Sequence, residues 1–207
     1  MIHMNRLVGA GILLLFGLGQ PAHPQVIEFE SNGMKYQTLS KSGVTIMFTA
    51  LAAHLHEYAI IEVSVSNGSK GPYIIRPENF TYVRTDPVRN DAPPFQGATA
   101  RSVISEMIEK GSGSDVIKLV NAYEAALYGI PHAKSTNGYE SRREAALSMN
   151  SRIRAAAAAS AIALVETKLA PGESTDGAVF FPTEGKPLGP GHLVVHTNTD
   201  EFDFNAE

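Results

Sequence analysis

The residues whose types and spacing first suggest chemistry are histidines. His54 and His56 stand two apart, so a strand containing both would carry them on one face, and neutral imidazoles suit zinc or copper. Glu57 would then point to the opposite face and make an awkward third ligand. His192 and His196 also share a strand face, but four residues span about 13 Å, so one ion would need a bend. A joint site from both pairs would require their strands to be adjacent. The simpler reading is a solvated or hydrogen-bonded polar face, and on it no metal ligand, catalytic residue or cofactor is assigned.

Hydrolytic signatures are missing. The chain has no G-x-S-x-G elbow, no S-x-x-K pair and no H-E-x-x-H, and Gly111-Ser112-Gly113-Ser114-Asp115 matches none of them. Gly185-Lys186 lacks the glycine and the hydroxyl residue that a phosphate-cradling loop requires. Asp200, Glu201, Asp203 and Glu207 lack the mid-loop glycine of a calcium hand and read as a charged strand face. Arg142, Arg143, Arg152 and Arg154 put basic groups on one predicted helix, where they would face solvent, an anionic headgroup or an acidic partner. The expectation is a protein that is not an enzyme.

The elements that would carry these residues change period twice. From Gln25 to about Arg84 the chain alternates as strands do. Ile27 and Phe29 flank Glu28, and Val44, Ile46 and Phe48 alternate with Thr45, Met47 and Thr49. In Tyr58 to Ser66, Ala59, Ile61, Val63 and Val65 face one way and Glu62, Ser64 and Ser66 the other. Asn67-Gly68-Ser69-Lys70-Gly71 is expected to supply positive-φ residues for a tight turn before Tyr73 to Ile75, and Phe80, Tyr82 and Arg84 continue the pattern.

Helical spacing takes over between 98 and 168. Val103, Ile104, Met107 and Ile108 predict one helix, and Val116, Leu119, Val120, Tyr123 and Leu127 a second that Ser114 would cap. The longest is expected at about 139–168, with Ala146, Met149, Ile153, Ala157, Ser160 and Leu164 as its stripe. The run Ala155 to Ala159 is suited to close packing. After Ala170-Pro171-Gly172-Glu173, short strands return at 178–181, 193–197 and 202–204. Three strands are too few to bury a sheet face alone, so the two β segments must complete each other.

The expected fold is therefore α+β: an antiparallel sandwich of roughly seven or eight strands in a single domain over 23–207, with residues 98–168 as a helical insertion between strands. Two stretches carry a likeness. Glu62-Val63-Ser64-Val65-Ser66-Asn67 with Arg76-Pro77-Glu78-Asn79-Phe80 forms one. Leu169-Ala170-Pro171-Gly172-Glu173 with Gly177-Ala178-Val179-Phe180-Phe181 and Phe202-Asp203-Phe204 forms the other. Together they resemble a loose group of exported bacterial immunoglobulin-like domains. There a strand ending V-x-V-x-N pairs with a later L-x-P-G-E turn and a G-x-V-F-F strand. The resemblance implies an immunoglobulin-like frame and transfers no active site; simple members of the group lack the helical excursion.

Composition bounds the setting. The 207 residues are 43% apolar, enough for a core, with a formal charge of -4 and a pI near 6.0, which argues against nucleic acid as a partner. Residues 1–22 read as an export signal: Arg6, the apolar run Leu7 to Leu18, then small residues. The absence of cysteine removes disulfides from an exported domain and suits a bacterial envelope protein, periplasmic or extracellular. The sequons at Asn67 and Asn79 are then chance matches. The expected function is binding or scaffolding of a protein partner in the envelope. Two alternatives stand beside it: a metal-binding protein or metal-dependent enzyme using the histidines, and a membrane-interface protein acting through its helical hairpin.

Overall fold

The computed structural model describes residues 25–85, 93–112, 115, 119, 121–123 and 154–205. The proposed export signal, the capping role of Ser114, Val116, Val120, Leu127 and Glu207 lie outside them. So does the predicted long helix before residue 154, with Arg142, Arg143 and Arg152. The described elements are β1 (Ile27–Ser31), β2 (Met34–Lys41), β3 (Val44–Leu55), β4 (Tyr58–Asn67), β5 (Tyr73–Ile75), a 3-10 turn (Pro77–Asn79), β6 (Phe80–Arg84) and β7 (Phe95–Gln96). Then follow α1 (Ala100–Lys110), α2 (Arg154–Ile162), β8 (Thr167–Leu169), β9 (Ser174–Pro182), β10 (Gly191–His196) and β11 (Glu201–Asp203).

The strands form antiparallel sheets. The largest has the order β1-β2-β3-β4-β9; a second runs β11-β10-β6-β7; β5 and β8 make a short pair. The β segments at the two ends of the chain meet along β4 and β9, paired from Tyr58↔Pro182 to Ser66↔Ser174. Ala59, Ile61, Val63, Val65, Val179 and Phe181 face the second sheet and share one buried cluster with Phe80, Leu193, Val195, Phe202 and Phe204. This is a sandwich-type β arrangement.

The opposite face of the large sheet is covered too. Leu55, Tyr58, Ile60, Ala178 and Phe180 form a second cluster with Val103 and Met107 of α1, Leu119, Tyr123 and the alanines of α2. The helices dock on the sheet. Ile61 and Phe180 are both buried, on opposite sides of the sheet: the two β segments share the sandwich interior, as expected, while Phe180 adds to the helix-side cluster. Glu62 likewise faces the helices rather than water, and is 0% exposed.

The edge of β9 receives the chain at both ends of the helical stretch. Ala98 N–H donates to Phe180 O and Leu164 N–H to Ala178 O, both at 2.8 Å, and Ala163 bridges Ala178 in parallel. This ends α2 at Ile162, six residues before the predicted 168. Gly177 makes the approach possible: a Cβ there would lie 2.7 Å from Leu164 Cα. Gly111 does the same between α1 and α2, since its Cβ would fall 2.6 Å from Ala155 Cβ. The alanine run thus packs closely, as its small side chains predict. Its buried members are Ala155, Ala156, Ala158, Ala159, Ala161 and Ile162, whereas the expected stripe residues Ala157 and Ser160 are only partly covered. Ile108 of the first predicted stripe faces solvent.

Among the described residues there are eleven strands, against the expected seven or eight. β2 escapes a period-two reading because Tyr36 is buried toward the helix side while Leu39 is buried in the sandwich. Its turns are nonetheless written in sequence. Asn32 and Gly33 have φ of 50° and 74°, and Ser42 and Gly43 of 52° and 81°, the paired left-handed residues of two-residue hairpins.

The turn after β4 differs from expectation. Neither Gly68 nor Gly71 takes a positive φ. The Asn67 side chain organises it instead, donating to Gly71 O (2.8 Å) and Leu169 O (3.1 Å) and accepting from Ser69 N–H (3.0 Å) and Ser69 Oγ (2.6 Å). Asn67 N–H also donates to Glu173 O and its carbonyl accepts from Gly172. The V-x-V-x-N and L-x-P-G-E segments therefore meet through one buried asparagine, whose amide is occupied and out of reach of any sugar.

Removing that amide strands several buried backbone groups. Asn67→Ala is expected to lower the unfolding free energy by about 2–4 kcal/mol in urea titration. Gly177→Ala should lower it by about 1–3 kcal/mol through overpacking. Gly71→Ala, which meets open space, should stay within about 0.5 kcal/mol.

Candidate functional site

β1, β2 and the adjoining half of β3 form the flank of the large sheet farthest from β9. On the face turned toward the second sheet, their residues line a cleft of about 670 Å³, a volume within the range of ligand pockets. Phe48, Ala50 and Ala59 line it from the large sheet, and Tyr82 with the loop Pro187 to Gly191 lines it from the other side. Tyr82 Oη donates to Gly189 O at 2.6 Å and holds that loop down. Gly191 lets it lie flat, since a Cβ there would be 2.3 Å from Val83 O. A smaller cleft of about 480 Å³ lies behind the loop, where the Arg84 guanidinium sits 4.5 Å over the Phe95 ring.

Polar groups of the larger cleft come from β1 to β3: Glu28, Glu30, Lys35, Gln37 and His54. Gln37 Nε2 donates to Glu28 Oε1. Glu30 stands opposite Lys35 in the β1–β2 register, so the two carboxylates of β1 are matched by one lysine. β1 is also the end strand of its sheet; among the described residues its strand neighbour is β2 alone. The turn at Asn32-Gly33 makes Ser31–Met34 the hydrogen-bonded closing pair, and alternation then aims the N–H and C=O of Glu28 and Glu30 away from β2. Ile27 and Phe29, 60% and 37% exposed, stand on the other face, with the Phe29 ring stacked on Tyr36 at 5.1 Å.

A second group of functional side chains lies under the helices. Glu62 and Asp176 are two positions apart across the β4–β9 pairing and on one face. Both are buried. Tyr123 Oη donates to Asp176 Oδ2 at 2.7 Å. Among the described residues, neither oxygen of Glu62 has a hydrogen-bond partner. Burial, reinforced by the Asp176 charge, pushes its carboxyl up to about 8. Burial also raises the Tyr36 hydroxyl, with a further push from Glu62.

The histidines do not assemble. β3 ends at Leu55, so His56 lies in the turn, at a φ of 50°, with Nε2 3.0 Å from Asp115 Oδ2, while His54 lines the cleft. The expected common face of His54 and His56 is lost because the strand stops between them. His192 and His196 do share a face of β10, where Asp203 (3.5 Å) and Glu201 (3.1 Å) accompany them. β3 and β10 belong to different sheets, so the adjacency a joint site needs is missing. Among the described residues no three His, Asp or Glu side chains are grouped to hold a metal ion. Asp200 is used by the fold, accepting from Ser42 Oγ at 2.9 Å. Among these residues, too, no helix is long and apolar enough to cross a membrane.

Neither the cleft nor the carboxylate pair was expected from spacing. Glu62 carried a signal: Ile60 and Ile61 are apolar at successive positions, the mark of a strand covered on both faces. The acidic side chains of β1 read only as an alternating strand, since its place at the sheet edge is not written in it. Compared with family models, curated proteins and solved structures, the chain matches none.

His196 and the carboxylate partners Asp203 and Glu201 are exposed and His192 is partly covered, so these ion pairs contribute little. His192→Ala and His196→Ala are each expected to change stability by less than about 1 kcal/mol at pH 6 in urea titration.

Proposed function

We propose that this protein is an exported, non-enzymatic binding module of the bacterial cell envelope. In it an immunoglobulin-like sandwich with a helical insertion between β7 and β8 presents one sheet edge to a protein partner. The observation that carries the reading is the outward-facing backbone of β1 beside the cleft. An end strand offers a row of donors and acceptors that an extended segment can extend by strand addition. Its neighbours would set the sequence of that segment. Ile27 and Phe29 favour apolar side chains on one face, and Glu28 and Glu30, matched by a single lysine, favour basic ones on the cleft face. The occupant on this reading is an extended basic-apolar segment of another envelope protein. The Pro187 to Gly191 loop, fastened by Tyr82, gives the far wall against which those side chains would rest.

The likeness to exported immunoglobulin-like domains supports the frame, and the run Arg6 to Leu18 supports export. Such sandwiches serve as stable frames for variable contact surfaces, an analogy of fold.

Proline removes an edge donor without touching the β1–β2 ladder when placed at an outward-facing position. Glu28→Pro with Glu30→Pro is expected to abolish in-cell crosslinking of the protein, through a photoreactive residue at position 29, to its envelope partner. Circular dichroism should stay unchanged. Undiminished crosslinking with an intact fold would remove the edge from the reading. Reporter fusions that show the chain retained in the cytoplasm would overturn the compartment.

A further inference from the structure

The least explained group in the protein is the carboxyl of Glu62. It lies mid-strand in β4 on the face that carries the helices, level with Ala178 of β9, which packs in the helix-side cluster. Both its oxygens are shielded from water and, among the described residues, neither has a hydrogen-bond partner. An unpaired buried carboxylate is among the costliest groups a protein can hold, whereas the same group protonated is only a buried polar one. Among the described residues, none donates to Glu62. From β9 comes Asp176, a second carboxylate; from β2 comes Tyr36, and from β3 Thr49, whose hydroxyl is committed to Lys35 O at 2.7 Å. From the helical side Tyr123 donates to Asp176, and α2 brings alanines. Of the charged groups of α1, Glu106 and Lys110 are engaged with Tyr58 and with each other, and Arg101 and Glu109 are exposed to solvent.

We propose that Glu62 and Asp176 form a proton-operated latch between the sheet and its helical layer, in which protonated Glu62 lets the helices dock and its ionisation next to Asp176 loosens them. The layer covers Leu55, Tyr58, Ile60 and Phe180, so loosening uncovers an apolar sheet face. This proposal stands independently of the partner-binding reading, because it uses the other face of the sheet.

The direction with pH follows from linkage. Glu62 is raised from 4.5 to about 8. Docking is therefore fully supported below the ordinary glutamate range and is lost as pH rises through about 8. Between those two values each pH unit lowers the docked population relative to the loosened one by up to about tenfold, and above about 8 the effect levels off.

Hydrogen exchange on the full chain at pH 6 and pH 9.5, corrected for the intrinsic rate, reads the latch directly. In the wild type, protection of segments 100–110 and 154–162 is expected to fall by about tenfold or more at the higher pH. The strands β6 and β10 should keep theirs. Glu62→Gln, which cannot ionise, should keep the helices protected at both values. Equal loss in Glu62→Gln and wild type, or no loss in the wild type, overturns the proposal. Infrared spectroscopy of the wild type serves if the variant does not fold. A protonated-carboxyl band should persist at pH 7, where ordinary carboxylates have ionised, and vanish together with helix protection. Absence of that band overturns the latch as well.

Discussion

The pairing of β4 with β9 is the constraint on which the rest of the molecule depends. These two strands come from opposite sides of the helical region in sequence, yet they share nine register positions and are covered on both faces. One side of that ribbon supplies the sandwich interior and the other the floor for the helices. A change that slipped its register by one residue would exchange the two apolar sets and carry Glu62 into the sandwich. Asn67 pins the register at one end by binding the chain before β5 and the last residue of β8 at once.

The same ribbon explains the two kinds of polar site. At β9 the edge is closed by residues 98 and 163–164, so strand addition there is blocked by the chain itself. At the far flank, β1 has only β2 beside it among the described residues, and a cleft opens between that flank and Tyr82 with the Pro187 to Gly191 loop. Exposed chemistry thus collects at one edge of the sheet. Buried chemistry, Glu62 with Asp176, collects at the centre of the ribbon, where burial turns a surface-type residue into a group that holds its proton near neutral pH.

Much of the β architecture was legible because strands covered on at least one face keep period two. Ile27–Phe29, Val44–Phe48, Tyr58–Ser66 and Phe202 all fall in observed strands. β2 was not, because its buried residues change face along its length, although Asn32-Gly33 and Ser42-Gly43 marked both of its turns. Histidine spacing misled because it assumed that a strand ran through position 56, where the chain instead turns. The helical stripes were legible as period but not as direction. A helix packed among alanines, glycine and a sheet buries most of its circumference, so spacing cannot say which side faces in.

By itself the sequence determined the succession of strand, helix and strand, the need for the two β segments to complete one another, and the small-residue contact of the alanine run. Those features follow from local periodicity and side-chain volume, which are properties of neighbouring residues. Tertiary structure alone decided that the helices lie on the sheet, that β1 ends it, and that Glu62 is dry and faces Asp176. Each depends on what stands across a sheet or on top of it, and long-range contacts of that kind leave no spacing in a single chain.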